Sequence, residues 1–145
     1  MKRQGLMILT TLSLFVMLTA MSVYAQFDSV LVANIPFQFM IGNTAFPAGE
    51  YTVTYMDTHL MRVQSQDHSE SIFVITGPAQ ARKMGNRLVF NRYGDQYFLS
   101  TIWRTGDPGR AIRMSRSERK LVQATSALDK SAPAPQIVSV MFVGK

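Results

Sequence analysis

The hydrophobic and polar positions of the chain predict a series of short strands after about residue 26. Runs rich in β-branched and aromatic residues recur at short intervals, and clusters of Gly, Pro, Asn and Asp separate them. Residues 50–56 alternate most clearly, with Tyr51, Val53 and Tyr55 on one side. Short connections favour antiparallel neighbours. We therefore predict an all-β fold, an antiparallel sandwich or small barrel of about seven or eight strands with one C-terminal amphipathic helix.

Two turns stand out in this pattern. Pro47 and Gly49 predict a turn before the strand over 50–56, because proline fixes φ and glycine supplies a positive φ on leaving the turn. Gly94 and Asp95 join the strands over 87–93 and 96–104, and glycine at the first central position suits a type II′ hairpin. Both faces of this hairpin are partly apolar, so it is expected to be central. Counting outward from the turn predicts the pairs Tyr93–Gln96, Arg92–Tyr97, Phe90–Leu99 and Leu88–Thr101.

The C-terminal part combines a helix, a linker and a last strand. Ser115 and Glu118 have the spacing of a capping box, which predicts a helix over about 116–128. Residues 131–136 form a Pro-rich linker, and residues 137–143 are a continuous apolar run. This run is expected to dock in its own sheet, with strand exchange into a homo-oligomer as the alternative. The predicted apolar stripe of the helix consists of Leu121, Ala124, Thr125 and Leu128.

The first 25 residues have the order of a secretory signal peptide. Lys2 and Arg3 precede an apolar stretch, and the small residues Val23 and Ala25 lie just before the expected cleavage point. An uncleaved membrane anchor is the alternative, but the apolar stretch is short for a spanning helix. We expect an exported protein, periplasmic or secreted, with a β domain over 26–130 and no membrane span after cleavage.

Composition and charge refine this picture. The chain has 145 residues, of which 47% are hydrophobic, and it contains no Cys, so no disulfide contributes to its stability. Residues 26–80 carry one basic and five acidic side chains, whereas residues 81–130 carry eleven basic and four acidic ones. The second half is therefore expected to present a basic surface.

Basic residues recur every third position at the start of the helix. This spacing predicts a surface for an anionic envelope component or an acidic protein, and a solvated helix face is the alternative. Export argues against a nucleic-acid partner. The candidate residues are Arg110, Arg113, Arg116, Arg119 and Lys120.

Catalytic and metal chemistry have little support in the sequence. The acid and His residues Asp57, His59, Asp67 and His68 lie at opposite ends of one predicted strand, roughly 20–25 Å apart, too far for one metal centre. The chain has no Cys nucleophile and no Gly-x-Ser-x-Gly motif. We assign no catalytic, cofactor-binding or metal-ligating residue, and expect no cofactor.

Three segments together resemble a family of small exported bacterial proteins of uncharacterised function. These are the sequences IPFQF at 35–39, FPAGEYTV at 46–53 and VFNRYGDQYFL at 89–99. The resemblance covers most of the chain after residue 25, including the helix start SRSER at 115–119, and implies an exported β-rich domain without a known active site. Residues 47–53 alone are similar to the strand entry of carboxypeptidase-regulatory-like β-sandwiches, which are non-catalytic modules.

These observations favour a non-catalytic binding or structural module of the bacterial cell envelope. The first alternative is an electrostatic binder of an anionic surface through the basic 110–120 segment. The second is a small-ligand pocket protein or hydrolase, with its site near Tyr51, Phe90 or Trp103.

Overall fold

The structure, a computed structural model, describes residues 30–80, 85–128 and 134–144. The predicted signal peptide, residues 1–25, lies outside the described residues. Within the described ranges the chain forms eleven strands and one helix. In chain order they are β1 (Val30–Ile35), β2 (Phe39–Ile41), β3 (Thr44–Phe46), β4 (Gly49–Tyr55), β5 (Leu60–Ser65), β6 (Ser71–Pro78), β7 (Arg87–Tyr93), β8 (Gln96–Trp103), β9 (Arg110–Ile112), α1 (Arg116–Leu128), β10 (Gln136–Met141) and β11 (Val143–Gly144).

The strands form one folded sheet in the order β10-β7-β8-β9-β6-β5-β4-β1-β11, with β2 and β3 beside β8. Pairing is antiparallel apart from one parallel contact between β2 and β8. Strand β6 belongs to two layers, because its first part pairs with β5 and its last part with β9. The sheet does not close on itself. The prediction of an all-β sandwich with one C-terminal helix is thus confirmed.

The structure has more strands than the seven or eight predicted because two apolar runs divide and because a further short strand, β3, forms before Pro47. The run over 30–41 breaks around Pro36, so β1 pairs with β4 in one layer while β2 pairs with β3 and β8 in the other. Proline cannot donate to a sheet, which explains a break at this point. The C-terminal run divides at Phe142 into β10 and β11.

The central hairpin forms at Gly94 and Asp95 as predicted. Gly94 has a φ of 59° and Asp95 has no positive φ, as a type II′ turn requires. The predicted pairs are present near the turn, but the register shifts at a bulge between Val89 and Phe90. The predicted Leu88–Thr101 pair is therefore wrong, and Leu88 lies opposite Ile102. The shift places both of these side chains in the core.

The turn before β4 differs from the prediction at Gly49. Gly49 does not have a positive φ and is already the first residue of β4, opposite Ile35. Pro47 precedes the strand, and its carbonyl accepts a hydrogen bond of 2.8 Å from the Tyr51 hydroxyl. This bond connects the turn to β4, so the turn is held in place without a residue of positive φ.

The core between the layers is aromatic at one end. Phe39 contacts the rings of Phe46, Tyr51 and Phe90 with centroid distances of 5.0 to 5.6 Å, and all four side chains are buried. Outside this cluster, the Trp103 ring packs on Gly109, where a Cβ atom would lie 2.4 Å from the ring. Burial of these rings is a principal source of stability in a chain without disulfides.

The C-terminal segment, residues 136–144, pairs with both ends of the sheet. Strand β10 runs along β7, and β11 runs along β1, where Val143 lies opposite Val32. Between them the Phe142 side chain is buried in the core. Of the predicted linker, Gln136 already belongs to β10, and residues 131–133 lie outside the described part. The segment thus docks in its own sheet, and exchange between copies stays a prediction.

We predict that Phe142→Ala lowers the free energy of unfolding by about 3–5 kcal/mol, because it leaves a cavity between the two layers. The neighbouring Met141 is 80% exposed, so Met141→Ala is expected to change the free energy of unfolding by less than about 0.5 kcal/mol. Urea unfolding of the chain without residues 1–25 measures both. Equal effects of the two substitutions would contradict the proposed role of Phe142.

Candidate functional site

The helix α1 begins with a partial capping box. The Ser115 hydroxyl accepts a hydrogen bond of 3.1 Å from the Glu118 amide, as the motif predicts. The reciprocal bond, from the Ser115 amide to the Glu118 carboxylate, is not among those of the described residues. The carboxylate instead points to the sheet.

Glu118 joins the helix to the outer face of the β7–β8 hairpin. Its side chain is only 5% exposed, and Oε1 accepts hydrogen bonds from Asn91 Nδ2 at 3.0 Å and from the Tyr93 hydroxyl at 3.2 Å. The carboxylate also lies in the first turn of the helix, where the helix dipole stabilises a negative charge. Burial, together with the charge of Glu118 and the hydrogen bond to it, raises the pKa of Tyr93 to about 12.

A second contact holds the same end of the helix. The Ser117 hydroxyl donates to Asn43 Oδ1 at 3.1 Å, and the Ser117 amide donates to the same oxygen at 3.3 Å. Asn43 lies in the β2–β3 turn, next to Gly42 with a φ of 63°. The first turn of α1 is therefore fixed from two directions by polar contacts.

The apolar stripe of the helix is not where the sequence places it. Leu121 is half-buried, but Ala124 and Thr125 are exposed, and Val122 is half-buried in their place. The side chain of Leu128 lies outside the described part. The contact face is therefore centred on Glu118, Leu121 and Val122, and its most buried member is a carboxylate.

The opposite face of the helix start carries the candidate basic residues. Arg116, Arg119 and Lys120 are exposed and share one face of α1 by their spacing, and Arg113 is exposed just before the helix. Arg110 lies apart from them in β9, half-buried, where Nη1 donates to the Thr58 carbonyl. We define the basic surface as Arg113, Arg116, Arg119 and Lys120.

The charge of the basic surface is not neutralised by the ion pairs of the described residues. Those pairs join Arg92 to Asp95 at 4.0 Å and Arg104 to Asp107 at 2.6 Å. The nearest acidic residue in the sequence, Glu118, faces the sheet. Three positive side chains therefore face solvent from a fixed helix start, and Arg113 faces solvent just before it.

A cleft of about 460 Å³ lies beside the inner face of the helix. It is bounded by the hairpin turn, the helix and the start of β10, and it has a phenol, a guanidinium and apolar walls. Neither His residue is part of it. Its lining residues are Arg92, Tyr93, Gly94, Leu121, Thr125, Ala134 and Gln136.

The region proposed from sequence for a small-ligand pocket is largely core. Phe90 is fully buried, and the Trp103 side chain is 8% exposed. Tyr51 lines a shallow cleft of about 310 Å³ beside Pro47 and Asp67, but its hydroxyl is bound to the Pro47 carbonyl. These three side chains therefore contribute to packing, and the structure does not bring them together around one cavity.

The acid and His residues are separated as the sequence predicts. Strand β5 lies between Asp57 with His59 and Asp67 with His68. Hydrogen bonds from Ser65 and Ser69 lower the pKa of Asp67 to about 2. Among residues 30–80, 85–128 and 134–144, no three His, Asp or Glu side chains are grouped as a metal site requires.

Sequence reasoning identified Glu118 only as a capping residue. Its contact with the sheet has a visible signal, because Asn91 interrupts the apolar outer face of a central strand between Val89 and Tyr93. A polar residue at such a position needs a hydrogen-bonding partner from another element.

Comparison with known proteins found no matching family model, no curated relative and no similar solved structure. The resemblance to a family of exported bacterial proteins therefore stays a prediction. In the described part of the chain, helix α1 is too short and too polar to be a transmembrane span.

We predict that Glu118→Ala selectively loosens the helix. It leaves Asn91 and Tyr93 without their acceptor, which costs about 2 kcal/mol, so the amides of α1 exchange hydrogen faster while those of β7 keep their protection. Glu50→Ala, at an exposed carboxylate, is the control and is expected to leave the exchange rates of both α1 and β7 unchanged. Unchanged exchange of α1 in Glu118→Ala would show that the carboxylate does not hold the helix.

We also predict a pH dependence at this contact. Because the pKa of Tyr93 is raised from 10.0 to about 12, its contribution to stability is present below pH 10 and is lost as the pH rises through 12. In Glu118→Gln the negative charge is absent, so the pKa of Tyr93 is expected to fall towards its ordinary value. Phenolate absorbance in the variant and the parent chain, compared with Tyr93→Phe, measures this shift. An unchanged titration of Tyr93 in Glu118→Gln would contradict the contact.

Proposed function

We propose that this chain is a non-catalytic binding module exported to the bacterial cell envelope, where it binds an anionic partner through the basic surface. One observation carries the proposal: three exposed basic side chains share one face of a helix start that Glu118 and Ser117 hold against the sheet, and a fourth, Arg113, is exposed just before it. A fixed helix presents these charges with little further ordering on binding, which favours affinity.

The chemistry of the basic surface fits phosphate, sulfate or carboxylate groups. Arg113, Arg116 and Arg119 each offer a planar guanidinium that can donate two parallel hydrogen bonds to such a group. Export supports an envelope component as the source of these groups, because it separates the chain from intracellular nucleic acid. Export itself rests on the signal-like order of residues 1–25.

A small-ligand pocket protein is the second candidate. Its support is the cleft beside Tyr93, which combines an aromatic wall with the Arg92 guanidinium. A hydrolase has less support, because the hydroxyl of this cleft that contacts a carboxylate is the Tyr93 phenol, and its pKa is raised to about 12, which makes it a weak nucleophile at neutral pH. We therefore propose the anionic binder first.

The proposal predicts binding to heparin, used as a polyanion probe, that weakens steeply with salt. Arg116→Gln/Arg119→Gln removes two contacts and is expected to lower the slope of log affinity against log salt by about two, by analogy with other polyanions. Arg87→Gln/Arg92→Gln removes equal charge from β7 and is the control. Retention on a heparin column and fluorescence titration measure both. Equal loss in the two double variants, or no retention of the parent chain at low salt, would contradict the proposal.

A further inference from the structure

A second surface lies on the outer face of β5, β6 and β9, and its exposed apolar members are on β6. On β6, Phe73 is 60% exposed and Ile75 is 77% exposed, while the alternating residues Val74 and Thr76 are buried. Both apolar side chains therefore point away from the core, two positions apart on one strand. Large apolar side chains exposed side by side mark an interaction surface.

Each of these two side chains has an arginine beside it, one on each side of β6. Arg62 on β5 lies directly opposite Phe73. On the other side of β6, Ile112 pairs with Thr76, so the next residue, Arg113, lies at the position opposite Ile75. Ile75 and Arg113 also line one cleft of about 520 Å³. Arg62 is the only Arg or Lys between positions 26 and 80. We call Arg62, Phe73, Ile75 and Arg113 the amphipathic patch.

From this arrangement we infer that the amphipathic patch contacts an anionic phospholipid bilayer, with Phe73 and Ile75 in the interfacial layer and the two guanidinium groups at the headgroup phosphates. The inference rests on the proposed function and names its partner. A bilayer interface offers apolar depth of roughly 5–10 Å directly below a layer of phosphates, which matches an apolar centre between two arginines.

Continuity with the basic surface supports this partner. Arg113 belongs to both surfaces, and Arg116, Arg119 and Lys120 follow it along the chain. Clusters of four or more basic residues are typical of proteins that bind anionic lipids. Stable attachment to a bilayer commonly needs both an apolar anchor and a basic cluster, and the two surfaces together supply both.

Vesicle co-sedimentation tests the inference with the chain lacking residues 1–25. We expect binding to phosphatidylglycerol-rich vesicles and little binding to phosphatidylcholine vesicles. Phe73→Ser/Ile75→Ser is expected to weaken binding by on the order of 100-fold, since two apolar anchors are removed. Arg62→Gln/Arg113→Gln is expected to weaken it by roughly 25-fold. Both double variants should keep the unfolding midpoint of the parent, because Phe73 and Ile75 are exposed and neither Arg62 nor Arg113 belongs to an ion pair of the described residues.

Ile137→Ser is the matched control, because Ile137 is 63% exposed but lies opposite the uncharged Asn91. It is expected to bind phosphatidylglycerol vesicles like the parent. A loss equal to that of Phe73→Ser/Ile75→Ser would show that general surface hydrophobicity, not the amphipathic patch, drives binding, and would overturn the inference.

The remaining outcomes separate the inference from the proposed function. Vesicle binding that survives Phe73→Ser/Ile75→Ser but is lost in Arg116→Gln/Arg119→Gln would overturn the inference and leave the proposed function standing. The same holds if heparin is bound but phosphatidylglycerol vesicles are not, or if phosphatidylcholine vesicles bind equally well. Binding of soluble poly-glutamate that Phe73→Ser/Ile75→Ser weakens, without vesicle binding, would assign the patch to an acidic protein and overturn the inference. Failure to bind any of these anionic probes would overturn both.

Discussion

The pairing of one C-terminal segment with both ends of the sheet is the constraint on which the rest of the structure depends. The strand order begins with β10 and ends with β11, and these are consecutive parts of residues 136–144. An exposed strand edge can pair with other chains, so a segment that covers β7 and β1 together protects two edges. Phe142, buried between them, ties this cover to the core. In a chain without Cys, burial and backbone pairing provide the stability that disulfides provide in many small secreted domains.

Strand β7 connects the C-terminal segment to the helix that carries the basic surface. Asn91 lies opposite Ile137 of the C-terminal segment, and its side chain donates to Glu118 of the helix. The segment and the helix therefore use the same strand, one through the backbone and the other through a side chain. A helix held by a buried carboxylate keeps its apolar contact small and turns its basic residues outward. The packing that stabilises the domain thus also sets the direction in which its positive charge faces.

Local patterns predicted the parts of this arrangement that depend on local chemistry. The Gly94-Asp95 turn and the bounds of α1 follow from backbone preferences, which operate within a few residues. The bulge at Val89 and the inward turn of Glu118 depend on distant partners, so counting from the turn or from the cap could not find them. The recurrence of Arg at every third position wrongly places Arg110 on the same surface as Arg116 and Arg119. Arg110 lies in a strand and the other two lie in a helix, and these elements have different side-chain periods. The run over 72–75 is apolar at consecutive positions, and such a run does not indicate which face of the strand stays exposed, so the pattern does not predict the exposure of Phe73 and Ile75.

Residue-resolved hydrogen exchange at equilibrium tests the role of the C-terminal segment most directly. If this segment holds the two ends of the sheet, the backbone amides of β1, β7 and β10 that pair across it open together, with one free energy close to that of global unfolding. If the amides of β10 exchange at the rate of an unstructured chain while those of β1 and β4 stay protected, the sheet is stable without the segment, and the C-terminal pairing is not the constraint that holds the fold.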